Sequence, residues 1–220
     1  MLSSVARKNL MALTGFFLCI FLVIHLLGNI QLFLPMPDAQ LKFNWYAQFL
    51  SKLFVIKAAA YVTYFCVFTH SILAVVLAIQ NRKSAGDGYV GKDSEATSPW
   101  HSRVMGLLGA IILLFLVVHM MDFWYPYKFG GSIGLDADGN KDLYSVVALA
   151  CRRAWYVGFY VVATLALGFH LHHGVYSGCR SLGLYHSGYA GWIKWFSLIF
   201  AIVITIGFAA MPVYLFFMQR

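Results

Sequence analysis

Five stretches of this chain are long and apolar enough to cross a lipid bilayer, and that limits what it can become more than any other feature. A spanning helix needs roughly 20 predominantly apolar residues, and stretches at about 10–34, 55–80, 104–126, 155–179 and 190–217 qualify. Of the 220 residues 61% are hydrophobic and only 11% charged, against about 25% charged in a soluble domain. Alternating strands of the kind that build a membrane barrel are absent. Arg7 and Lys8 resemble the start of a secretion signal. The apolar run behind them is longer than the roughly 7–15 residues of a signal core and has no small-residue cleavage site, so it reads as a retained helix. The expectation is an all-α integral membrane bundle of five transmembrane helices, one domain over 1–220.

The connections differ in kind. Residues 35–54 combine Pro35, Pro37 and Asp38 with Phe43, Trp45, Tyr46 and Phe49, a mixture suited to headgroup depth. Residues 81–103 read as a polar loop, with Ser98 and Pro99 as cap and first position of the third helix. Residues 127–153 carry glycines and the turn-like Asp136-Ala137-Asp138-Gly139-Asn140. The net charge of +8 suits basic residues beside lipid headgroups, and no motif points to nucleic acid. If the N-terminus is cytoplasmic, Lys and Arg divide eight against eight between the faces, so charge does not orient the chain. Cys19, Cys66, Cys151 and Cys179 are scattered singly, without the pairing that zinc, redox or covalent haem chemistry uses.

Histidine is the informative residue. Of eight, His25, His70, His119 and His170 each lie about 15 residues into one of the first four helices. Ionisable groups at such depth are costly and usually serve a function. At ~1.5 Å rise per residue each sits roughly 22 Å from its helix start, past the midplane. Successive helices run in opposite directions, so His25 and His119 fall near one face, and His70 and His170 near the other. A weak repeat accompanies this, with Gly15 ten residues before His25 and Gly109 ten before His119.

Two facing imidazoles are what a six-coordinate b-type haem takes as axial ligands. A zinc site would draw three or four ligands together, often thiolate or carboxylate. Two stacked haems therefore fit the pattern better than one metal ion. His170, Gly174, Ser177 and Gly178 share one helical stripe, which leaves room either for a flat macrocycle or for close helix packing. His173 is a rival ligand; His172 points elsewhere, and both are placed near the interface; His101 and His186 fall in connections. Seven of the eight acidic residues also lie in connections, with Asp122 alone near the apolar zone. That argues against an ion-coupled pump. Asp122 reads as a helix-end residue, with quinone protonation the lesser reading.

Four segments carry a resemblance: Phe21-Leu-Val-Ile-His25-Leu-Leu-Gly-Asn29, Val67-Phe-Thr-His70-Ser-Ile-Leu, Phe115-Leu-Val-Val-His119, and Gly158-Phe-Tyr-Val-Val with Gly168-Phe-His170-Leu-His-His-Gly174-Val-Tyr-Ser177. In these the chain resembles the five-helix, di-haem cytochrome b anchor of succinate dehydrogenases and fumarate reductases. The resemblance implies two b haems, one held by His70 and His170 nearer the cytoplasm and one by His25 and His119 farther away. It implies a flavoprotein partner with FAD, an iron–sulfur partner, and a quinone substrate, menaquinone by the same analogy. It implies a bacterial cytoplasmic membrane and a cytoplasmic N-terminus. Arg7, Lys8, Arg103 and Arg180 would then be available to haem propionates. Some fumarate reductases of this type carry an acid two positions before the fourth ligand; here that position is Gly168. The alternatives are a di-haem anchor for a hydrogenase or formate dehydrogenase, and a haem-free transporter whose histidines only join helices.

Overall fold

A computed structural model describes residues 3–85, 104–130 and 133–218. Helices dominate it, and among the described residues no strand forms beyond the isolated bridge Leu135–Lys141. The elements are α1 (Ser4–Asn29), a 3-10 turn (Ile30–Phe33), α2 (Asp38–Lys52), α3 (Phe54–Ala85), α4 (Met105–His119), a π-helical turn (Met120–Trp124), α5 (Tyr125–Phe129), α6 (Leu143–Cys151), α7 (Ala154–Ser181) and α8 (Ala190–Met218). Five segments are long and apolar enough to cross a membrane: Ser4–Phe33, Phe54–Gln80, Met105–Phe129, Ala154–Ser181 and Ala190–Met218. The chain is thus an all-α, multi-pass membrane protein. The expected cap at Ser98 and Pro99, with His101 and Arg103, lies outside the described residues.

The helices begin and pack for local reasons. The Ser3 hydroxyl accepts the Ala6 N–H at 3.1 Å and caps α1. Thr63, Thr164 and Thr205 spend their hydroxyl protons on carbonyls of the preceding turn, so these three hydroxyls leave no donor bare in hydrocarbon. Phe54, Phe65, Phe68, Leu107, Leu114 and Phe196 are exposed on the outer surface, as lipid-facing side chains are. Helix α7 is central and packs against α1, α4 and α8. At Gly168 it meets α8 so closely that an added Cβ would collide with the Thr205 side chain.

Two helices were not expected from the sequence. Residues 38–52 and 143–151 form α2 and α6, which pack together as a cap over one end of the bundle. Under it lies a core of Leu32, Ala39, Phe43, Tyr144, Cys151, Val157, Met211 and Leu215. Its polar centre is Asn44, fully buried. The Asn44 amide donates to Asp136 at 3.1 Å and Asp142 at 2.9 Å, and its carbonyl accepts the Tyr144 N–H at 2.8 Å. Asp142 also caps α6, accepting from the Ser145 N–H at 3.2 Å and from the Gln40 amide at 2.8 Å. On the same face Lys52, Lys57, Lys128 and Lys141 line one cleft, the kind of basic interface that attracts anionic headgroups.

Burial pushes the Asp142 carboxyl up, but hydrogen bonds from Ser145, Asn44 and Gln40 outweigh it and hold the group below the ordinary carboxylate range. A carboxylate depressed on folding stabilises fully above its unfolded value of ~3.9, and that contribution is lost as pH falls through the folded value. Thermal scans taken stepwise from about pH 5 to about pH 3 should therefore show the midpoint falling, and falling less in Asp142→Asn.

Candidate site between the helices

Four imidazoles come together as two pairs. The rings of His25 on α1 and His119 on α4 lie 5.9 Å apart between centroids, at 85°. Those of His70 on α3 and His170 on α7 lie 6.3 Å apart, at 65°. In neither pair do the two parent helices pack closely: α1 contacts chiefly α3 and α7, and α4 chiefly α7. The rings reach across interior space. Each of the four is half-buried rather than sealed into a core.

The glycine repeat acquires a physical meaning here. A Cβ at Gly15 would meet His70 Cε1 at 3.2 Å, and one at Gly109 would meet His170 Cε1 at 3.9 Å. The helices that carry one imidazole pair thus present glycines to the other pair. Ten residues of helix separate the two levels by roughly 15 Å.

The ring nitrogens differ in what they touch. Thr14 donates its hydroxyl proton to the Leu10 carbonyl at 2.9 Å, so its oxygen accepts Nδ1–H of His70 at 3.2 Å. His119 Nδ1 lies 3.1 Å from the Tyr160 hydroxyl. His170 Nδ1 is buried and has no hydrogen-bond partner among the described residues. His25 stacks on Phe21 and leans on Phe208.

Within each pair the rings are spaced as two imidazoles would be if they held one metal between them. An imidazole nitrogen bonds a first-row metal at about 2.0–2.1 Å. Adding the ring radius on each side puts the centroids roughly 6.4 Å apart for a linear pair. The separations of 5.9 and 6.3 Å are close to that. Among the described residues no group of three or more His, Cys, Asp or Glu could hold a metal ion.

Comparison with known proteins gives no match. No family model, curated protein or solved structure corresponds to the chain. The arrangement has therefore to be read from its own geometry.

The remaining sequence candidates separate clearly. His172 points elsewhere than the His70–His170 pair, toward α8, where its Nδ1 lies 3.2 Å from Ser197 Oγ. The small-residue stripe divides, since an added Cβ at Gly178 would meet Phe16 at 3.1 Å, whereas at Gly174 it would meet nothing. Gly178 is thus a packing contact and Gly174 borders open space. His186 is exposed in the α7–α8 connection and accepts the Gly188 N–H at 3.1 Å. Arg180 lies over the rings of Tyr176 and Tyr185. Asp122 sits in the π turn and accepts the Tyr156 hydroxyl at 2.8 Å. The four cysteines are unpaired thiols, and Cys151 lies in α6 rather than in a loop.

Sequence reading missed Thr14, Tyr156 and Tyr160. One signal was available for Tyr160, which stands ten residues before His170. That spacing puts it at the level of the other imidazole pair, the relation Gly15 bears to His25.

Proposed function

We propose that this chain is the membrane anchor and electron-transfer subunit of a succinate:quinone oxidoreductase, holding two b-type haems on His70 with His170 and on His25 with His119. The observation that carries the reading is the pair of imidazole couples at two depths, each spanning a gap between helices that do not pack together. Bound there, the haems would supply one-electron transfer between a partner's iron–sulfur clusters and a membrane quinone such as menaquinone.

The chain's own work is placement. His25, His70, His119 and His170 supply neutral imidazole nitrogens inside the apolar zone. Thr14 orients His70, and Gly15 and Gly109 keep the second level clear. The dicarboxylate chemistry and its FAD belong to the flavoprotein partner, and the clusters to the iron–sulfur partner. The membrane is the bacterial cytoplasmic one, with the N-terminus inside, so that His70 and His170 lie nearer the docked partners.

Chain purified in mild detergent should give a b-type dithionite-reduced minus oxidised spectrum and two haems per chain by pyridine haemochrome. A haem-free preparation from haem-replete cells rejects the proposal. Co-purified flavoprotein and iron–sulfur subunits with succinate-dependent dye reduction support the partner assignment. Hydrogenase or formate dehydrogenase subunits in their place reassign it.

A further inference from the structure

One hydrogen-bonded line in the bundle ends on an acidic side chain. His119 Nδ1 lies 3.1 Å from the Tyr160 hydroxyl, the Tyr156 and Tyr160 hydroxyls are 3.1 Å apart, and Tyr156 donates to Asp122 Oδ2 at 2.8 Å. Asp122 stands in the π turn directly after His119, and such turns recur at functional sites. Among the described residues the one ion pair is Lys42–Asp38. Asp122 therefore has no cationic partner there, and the Tyr156 hydroxyl is the donor that its side chain meets.

Proton counting sets the direction of every link. A carboxylate only accepts, so the single hydroxyl proton of Tyr156 goes to Asp122. The contact between the tyrosines must then be donated by Tyr160. With that proton committed, Tyr160 offers His119 only a lone pair, and the ring must donate from Nδ1–H. We propose that Tyr160, Tyr156 and Asp122 are positioning residues for His119, a one-way line that holds its ring as the Nδ1–H tautomer and keeps the Nε2 lone pair free.

The tautomer follows from the chain's own atoms; its use in holding iron rests on the function proposed above. No equivalent line serves His70 or His170 among the described residues. The His70 contact ends at Thr14 and a backbone carbonyl, and His170 Nδ1 has no partner. An outer carboxylate raises the basicity of the ligating nitrogen, which favours the oxidised iron. Cutting the line should therefore raise the potential of one haem only.

Tyr160→Phe keeps the ring that packs on Phe115, Phe123 and Tyr156 and removes only the hydroxyl. In redox titrations of detergent-purified chain it should leave two haems and move one midpoint upward. Asp122→Asn should move the same midpoint in the same direction by less, because the amide oxygen still accepts. The double variant should match Tyr160→Phe alone, which a purely packing role would not produce. A second readout needs no haem. In chain produced without haem and labelled with 15N-histidine, the His119 signal, assigned with His119→Gln, should show Nδ1 protonated in wild type, and that population should fall in Tyr160→Phe. Both midpoints unmoved, both moved equally, or an unchanged ring signal in Tyr160→Phe overturns the inference. A wild-type chain without haem overturns the proposed function, while the ring signal still decides the tautomer.

Discussion

On the proposed function, which gives the wild type two haems, a chain carrying His70→Ala should leave the membrane with one, and His170→Ala should do the same. The reason is pairing. An iron held between two imidazoles loses its site when either goes, so the two substitutions remove one and the same haem. The double variant His70→Ala/His170→Ala should therefore still hold one haem, whereas His70→Ala combined with His25→Ala should hold none. That pattern depends on which residues share an iron, and four independent sites would not produce it. If the histidines only joined helices, the visible spectrum would not change. His70→Ala would then cost only its Thr14 hydrogen bond, about 1 kcal/mol, read as a modest fall in thermal midpoint. Pyridine haemochrome on the four variants separates these outcomes.

Asn44→Leu should destabilise the cap severely and leave the haem count untouched. Leucine keeps asparagine's number and branching of side-chain heavy atoms and is somewhat bulkier, so no cavity forms. What is lost is pairing: Asp136 and Asp142 lose a donor, and the Tyr144 N–H loses its acceptor. The buried Tyr144 N–H is left unmatched at a cost of about 1–3 kcal/mol, while half-buried Asp136 and Asp142 each keep other donors, so a loss of about 2–3 kcal/mol is expected for the site as a whole. The bundle level with His25 and His119 is held by other contacts. Limited proteolysis should cut the 133–142 segment much faster in the variant, with two haems retained. Cleavage at the wild-type rate would show that the α2–α6 packing alone holds the cap.

The spans and the imidazole depths were legible because both follow from simple periodicity: apolar runs of bilayer length, and histidines at equal distances into antiparallel helices. The cap was not. α2 interleaves aromatics with Gln40, Asn44 and Gln48, and its apolar face exists only because α6, about 100 residues later, lies against it. Asn44 looked like a loop residue; its partners Asp136, Asp142 and Tyr144 are distant in sequence, and no local pattern joins them. The glycine repeat was visible, but its meaning was not, because Gly15 faces a histidine on a different helix. Tyr156 and Tyr160 were hidden by abundance: in a chain rich in aromatic residues, two more on an apolar helix carry no signal until their hydroxyls are seen to meet.

The wide turn at Met120–Trp124 holds one residue more than an ordinary helical turn. In regular helix, removing a residue rotates everything beyond it by about 100°. Here one residue can be given up by collapse to ordinary helix, so slack for a one-residue deletion is stored just past His119. A one-residue shortening of the following connection can be absorbed at that point, and the imidazole upstream keeps its bearing.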